Sequence, residues 1–168
     1  MSSEATGGRI QPADTIAEFQ QAAVARLADA RALRSRERDY WAVYTLGYAV
    51  EMHLKIAYFR LFGLRETEDA RVALRMARPW AKQLGITEPD RNLHGLLFWL
   101  KLILIEREFA SRPLPSEWAN KMLSCVQRVA SHWLPEMRYR APAEGTARFR
   151  RVVAATAWIV QNSRVLWN

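Results

Sequence analysis

The segment from about Arg38 to Phe62 carries two apolar stripes at helical spacing, and this feature constrains the fold more than any other. One stripe comprises Val43, Leu46, Val50, Leu54, Ala57 and Leu61, and the other comprises Tyr44, Tyr48, Met52, Phe59 and Phe62. A helix that is apolar on two sides is normally covered on both by other elements. The pattern therefore predicts a central helix that ends at Gly63.

The rest of the chain shows the same helical periodicity, and no segment alternates apolar and polar residues as a strand does. A capping-box pattern from Thr15 to Glu18 predicts the start of a first helix that runs to about Arg34. Pro135 is expected to end a later helix, and residues 135–145 are expected to form a loop. The other predicted helical segments are Thr67–Met76, Pro79–Leu84 (split from the former by Pro79), Asn92–Phe109, about Trp118–Trp133, and Thr146–Trp167. The predicted fold is all-α: an up-and-down bundle of four or five helices with short helical insertions.

The chain has 168 residues, half of them apolar, which is the size of one globular domain. We expect residues 12–168 to form a single helical domain and residues 1–11 to be a flexible terminus. No apolar leader opens the chain, and its longest apolar stretch, Leu93–Ile105, is shorter than the about 20 residues that span a bilayer. These features predict a cytoplasmic protein without a membrane partner.

A single cysteine, Cys125, and three scattered histidines limit the chemistry that the chain can carry. One cysteine cannot form an internal disulfide or a cysteine-based zinc site, and its place on an apolar stripe predicts an inert core residue. No two histidines have the i, i+4 spacing that lets a helix hold a metal ion, so no metal site is predicted. The sequence also lacks a phosphate-binding glycine loop and a dinucleotide fingerprint, so no cofactor is predicted.

The chain is strongly basic, with 25 basic and 17 acidic residues and a formal charge of +8. This balance favours a polyanionic partner such as nucleic acid, although solvated surface charges would give the same count. The basic residues are densest around the start of the last helix. A solvated helix end would explain them, but cations oppose the helix dipole there, and this conflict favours a partner such as nucleic acid or an acidic protein. The predicted anion-binding residues are Arg140, Arg148, Arg150 and Arg151.

The central helix also contains polar residues, whose positions on it differ. Glu51 and Lys55 are four residues apart, so they share a face and can pair. His53 lies roughly 200° away from Glu51 around the helix, which predicts a surface or boundary residue without a functional role. Gly47 costs the helix about 0.5–1 kcal/mol relative to alanine, so we expect close helix packing or an inserted side chain there.

Three short motifs resemble those of HEPN domains. Residues 49–55, Ala-Val-Glu-Met-His-Leu-Lys, resemble the Ala-x-Glu-x-x-Leu-Lys signature of that family. Residues 92–96, Asn-Leu-His-Gly-Leu, resemble its His-Asp-Leu element, and residues 136–140, Glu-Met-Arg-Tyr-Arg, resemble its Arg-Tyr-Pro element. The motifs occur in the family's order and span about Tyr40–Trp167.

The resemblance implies an up-and-down helical bundle, frequent homodimerisation and a polar site built from several helices. It also implies binding of a nucleotide, a substrate or RNA, and partner proteins such as antitoxins or minimal nucleotidyltransferases. Gly95 and Arg140 depart from the family's motifs, since they replace its aspartate and proline. The family's ribonucleases carry an arginine followed by four to six residues and a histidine; this spacing is missing, so RNA cleavage is not carried over.

The candidate polar site consists of Glu51, Lys55, His94, Arg138 and Tyr139. Lys55 and Arg138 could hold a phosphate or carboxylate, and His94 or Glu51 would be the acid or base if catalysis occurred. The alternative is a buried ion-pair network that fixes the helices and binds no ligand. The favoured hypothesis is a non-catalytic module that binds a nucleotide, RNA or a protein. The competing hypotheses are a divergent metal-independent ribonuclease or toxin–antitoxin component, and a structural dimer joined by the apolar segment 92–109.

Overall fold

The computed structural model describes residues 14–86, 94–140 and 146–168, with the side chains of 146–148 left out. The predicted flexible terminus, the predicted loop residues 141–145 and the Arg148 side chain lie outside this description. The described residues form helices and no strand, so the all-α prediction is confirmed. The α-helices are α1 Ile16–Arg34, α2 Asp39–Leu61, α3 Arg71–Gln83, α4 Leu96–Phe109, α5 Ser116–Ala130 and α6 Thr146–Asn162, with 3₁₀ segments at Pro135–Tyr139 and Ser163–Leu166.

Helix α2 lies at the centre of the bundle, as its two apolar stripes predict. It packs against α1, α4 and α6, and α5 packs against both α4 and α6. Residues are buried on all sides of α2, including Val43, Val50 and Phe59. One hydrophobic cluster joins residues of all six helices, so α2 positions its polar residues inside a shared core.

Helix α3 differs from the prediction of two pieces separated by Pro79. It is one helix from Arg71 to Gln83, with Pro79 inside it, and residues 67–70 form a turn instead of helix. Proline removes one hydrogen bond from a helix interior. Three buried alanines at four-residue spacing, Ala73, Ala77 and Ala81, pack one face of α3 onto the core on both sides of the proline. This packing explains why the helix continues through Pro79.

Helices α5 and α6 end earlier than predicted. Helix α5 ends at Ala130, so Trp133 lies beyond it and is free to turn towards α2. The predicted loop after Pro135 begins with a 3₁₀ segment, held to α2 by the Tyr40 hydroxyl, which donates to the Met137 carbonyl at 2.9 Å. Helix α6 ends at Asn162, where the chain tightens into the 3₁₀ segment Ser163–Leu166.

Helix α4 is apolar almost all round, and other helices of the same chain cover most of its surface. It packs against α2 and α5, and Trp99, Leu100 and Ile103 are fully buried. Phe109, at its end, is 66 % exposed. The apolar sequence of α4 therefore needs no second copy of the chain to explain it. None of the described helices has the length and hydropathy of a membrane span.

Candidate functional site

Three of the predicted site residues meet in one polar network. The Lys55 Nζ donates to Glu51 Oε1 at 2.5 Å, and His94 Nδ1 lies 3.0 Å from both carboxylate oxygens of Glu51. Glu51 is 3 % exposed and Lys55 is 8 % exposed, whereas the His94 side chain is 36 % exposed. The network thus runs from the core, at Glu51 and Lys55, to the surface at His94.

Two elements bring these residues together. Helical spacing places Glu51 and Lys55 one turn apart on the same face of α2. Gly95 is the N-cap of α4, so His94 precedes the first turn of that helix and reaches across to Glu51. Lys55 also lies 5.5 Å from the centroid of the Trp99 ring of α4, a cation–π distance. The network therefore ties α2 to the start of α4.

The charged and polar groups of this network bond mainly to one another. Lys55 is neutralised by Glu51, so it cannot hold an external anion without losing a buried ion pair. With the carboxylate as acceptor, His94 donates through Nδ1, and in the neutral tautomer of the ring Nε2 is then the acceptor nitrogen. Such a pair orients an imidazole as a base, but no serine, threonine or cysteine is hydrogen-bonded to His94 within the described part of the chain.

An aromatic group packs beside the network. The Tyr44 and Tyr48 hydroxyls lie 3.2 Å apart, and the Tyr48 ring packs edge-on against His94 and Trp133. The pKa of Tyr48 is raised above its usual value, chiefly by burial, then by Tyr44 and the negative charge of Glu51, while Arg138 opposes the shift. Tyr48 is therefore a neutral hydrogen-bonding group.

Gly47 makes room for Trp133 in this group. A Cβ atom at residue 47 would lie 2.1 Å from Trp133 Cγ, so only glycine fits beneath the indole ring. Trp133 Nε1 donates to the Tyr44 carbonyl at 2.8 Å. The sequence predicted close packing or an inserted side chain at Gly47, and the structure identifies the side chain as Trp133.

Arg138 and Tyr139 lie at the surface and are not joined to Glu51 by any hydrogen bond or ion pair among the described residues. They form a pair of their own, in which the Arg138 guanidinium carbon lies 4.6 Å from the centroid of the Tyr139 ring. Tyr139 is 77 % exposed. The influence of Arg138 on Tyr48 is electrostatic, through the pKa of that hydroxyl.

A basic groove lies between α5 and α6, and two of its basic residues were not predicted from the sequence. Its volume is about 500 Å³, and its described lining consists of Ser124, Gln127, Arg128, Ser131, His132 and Arg151. Arg151 belongs to the predicted anion-binding set; Arg140 and Arg150, also of that set, are exposed outside this lining. Arg128 and His132 were missed, although polar residues recur at helical spacing from Ser124 to Ser131 opposite the apolar stripe of α5.

His53 is a half-buried residue at the edge of the core, away from the Glu51 network. Its Nδ1 lies 3.2 Å from Ser163 Oγ in the second 3₁₀ segment, and burial lowers the pKa of its imidazole.

Cys125 is buried, and burial raises the pKa of its thiol against the influence of Lys121 and Arg128. Within the described ranges, no group of three histidine, cysteine or acidic residues could hold a metal ion.

No protein-family model, curated protein sequence or solved structure matches the chain. The resemblance to HEPN domains therefore stays a prediction that rests on the three sequence motifs.

Proposed function

We propose that the protein is a non-catalytic, HEPN-like helical module that binds single-stranded RNA through the groove between α5 and α6. One observation carries the proposal: the described lining of the groove contains Arg128 and Arg151 and no carboxylate. A concave surface with unopposed arginines attracts phosphate groups, which guanidinium binds in a bidentate manner.

The charge of the surrounding segment supports this proposal. Residues 116–168 contain eight basic and three acidic residues, so they supply most of the net charge of the chain. Within the described part, no salt bridge involves the exposed arginines Arg128, Arg138, Arg140, Arg150 and Arg151. Their charge is therefore available to a partner.

The exposed pair of Arg138 and Tyr139 favours a single strand over a duplex. Tyr139 follows the groove residue His132 by seven positions and presents most of its ring to solvent. Exposed aromatic rings bind single strands by stacking on bases, worth about 1–3 kcal/mol per base. Duplex RNA offers no unstacked base to such a ring.

The Glu51 network has a structural role in this proposal. Its lysine is already paired, and it joins α2 to α4, whereas the basic groove lies between α5 and α6. Catalysis is not part of the proposal, because the ribonuclease spacing is missing from the sequence. Homodimerisation and an antitoxin or nucleotidyltransferase partner are what the family resemblance implies, and sedimentation of the purified protein tests the first of these.

The test is fluorescence anisotropy with an end-labelled, unstructured RNA of about 16 nucleotides, without added metal. We expect saturable binding that the double variant Arg128→Gln/Arg151→Gln weakens by about tenfold or more at moderate salt. Tyr139→Ala should weaken binding to the single strand and leave weak duplex binding unchanged. The matched control is Arg36→Gln/Arg75→Gln, which removes the same charge from exposed positions of other elements.

Equal loss of affinity in the two double variants would contradict the groove as the RNA-binding site, because it would show only a non-specific attraction of RNA to the net charge. A denaturing gel of the same samples scores cleavage. Cleavage by the wild type that is lost on His94→Ala would overturn the non-catalytic assignment in favour of a divergent ribonuclease.

A further inference from the structure

A second cavity, distinct from the basic groove, lies among α1, α2 and α6. Its volume is about 290 Å³, at the lower end of the range for small-molecule sites. Most of its lining is apolar: Leu27, Ala30, Leu46, Phe149, Val153 and Val160. Phe149 and Val153 lie on a different face of α6 from Arg151, because two residues are about 200° apart on a helix.

Two arginines of α1 complete this cavity. Arg31 and Arg34 belong to its lining, and both are exposed. Neither takes part in a salt bridge within the described part of the chain. The Arg34 guanidinium carbon lies 5.5 Å from the centroid of the Phe149 ring, so this cation is held against the apolar lining. The cavity thus combines an apolar interior with two unopposed positive charges.

A buried hydroxyl lies in the wall of the cavity. Thr156 belongs to the cavity lining and is 1 % exposed, and its Oγ1 has no hydrogen-bond partner among the described residues. Buried polar side chains are nearly always hydrogen-bonded, and a helical threonine usually bonds to the carbonyl four residues earlier. Because this oxygen is itself buried in the wall, the apolar residues and the two arginines are left to recognise a ligand.

We propose that this cavity binds a small amphipathic anion, with a compact apolar body between α1 and α6 and a carboxylate-like head at Arg31 and Arg34. The apolar residues bury the body of the ligand, and the guanidinium groups bind its head. This site is independent of RNA binding in the basic groove.

The test uses the fluorescent probe 8-anilinonaphthalene-1-sulfonate, which combines apolar rings with one negative charge. We expect its fluorescence to rise on addition of the protein, and octanoate to displace it. Acetate, which lacks the apolar body, should not displace it, and octanol, which lacks the charge, should displace it only weakly. No probe binding by the folded wild type, or equal displacement by octanoate and octanol, would overturn the proposal.

Two sets of variants locate the binding. Ala157 is an exposed lining residue, so Ala157→Phe fills the cavity from the surface of α6 and should abolish probe binding while circular dichroism stays unchanged. Arg31→Gln/Arg34→Gln should weaken octanoate binding by about tenfold and leave octanol binding unchanged. Arg36→Gln, an exposed arginine outside the described lining, is the control and should bind as the wild type does. Unaltered probe binding by Ala157→Phe would place the probe elsewhere and contradict the site.

Discussion

Gly47 and Trp133 pack closely together beside the candidate site. Because a Cβ at residue 47 would lie 2.1 Å from the indole ring, Gly47→Ala must displace Trp133. We expect the variant to lose about 1–3 kcal/mol of unfolding free energy, although alanine favours the helix more than glycine. Urea denaturation followed by tryptophan fluorescence measures this loss.

The control is the same substitution in a Trp133→Leu background, where the clash with the indole ring is removed. There Gly47→Ala should be close to neutral or stabilising, since only helix propensity remains. An equal loss in both backgrounds would show that the indole ring does not set the cost.

Glu51 is predicted to stabilise the fold by compensating buried Lys55. Glu51→Gln leaves the Lys55 ammonium, 8 % exposed, without its carboxylate partner. We expect a loss of about 3 kcal/mol in unfolding free energy near neutral pH, measured by urea denaturation. The double variant Glu51→Leu/Lys55→Met removes both charges and should recover most of the loss. A single variant as stable as the wild type would contradict the network's structural role.

His53 predicts a dependence of stability on pH. Burial lowers the pKa of its imidazole in the folded state below the usual value of 6.5. The unfolded chain therefore binds a proton at His53 more readily than the folded chain does. The stabilisation that comes from neutral, buried His53 is fully present above pH 6.5, and it is lost as the pH falls from that value towards the folded pKa. In His53→Gln, unfolding free energies measured on both sides of that pH should fall less steeply with acidification. A slope equal to that of the wild type would exclude this origin.

At the scale of elements, one hydrogen bond ties the 3₁₀ segment Pro135–Tyr139 to α2. Tyr40→Phe removes the hydroxyl that donates to the Met137 carbonyl at 2.9 Å, which should cost about 1 kcal/mol. Hydrogen exchange should become faster in residues 135–140, with α1 and the core of α2 unchanged. If exchange in the segment matched that of the wild type, other contacts would hold it.

The helix boundaries show which element-scale features a sequence can predict. Thr15 and Glu18 cap α1 reciprocally, with Glu18 N donating to Thr15 Oγ1 at 3.3 Å and Thr15 N donating to Glu18 Oε2 at 2.9 Å, and the sequence located this start correctly. The predicted break at Pro79 was wrong, because the packing of α3 on the core outweighs the loss of one helical hydrogen bond. The end of α5 was predicted too late. The apolar Trp133 fits the helical period of α5, but it lies beyond the end of that helix and packs against Gly47 of α2.

At the scale of the whole molecule, periodicity predicted the all-α fold and the central place of α2. The i, i+4 spacing predicted that Glu51 and Lys55 could pair, but His94 lies 43 residues from Glu51 and entered the site only through the family resemblance. The basic groove was only partly predicted, because a concave surface arises when α5 and α6 pack together. Residue spacing within one helix carries no information about that packing.

The measurement that tests RNA binding in the basic groove most directly is the salt dependence of the RNA affinity. For single strands, the logarithm of the association constant falls with the logarithm of salt by about 0.7 for each phosphate neutralised. Removal of Arg128 and Arg151 together should therefore make the slope shallower by about 1.4, while Arg36→Gln/Arg75→Gln leaves it unchanged. A slope in Arg128→Gln/Arg151→Gln that equals the wild-type slope would contradict the groove as the site of phosphate contact.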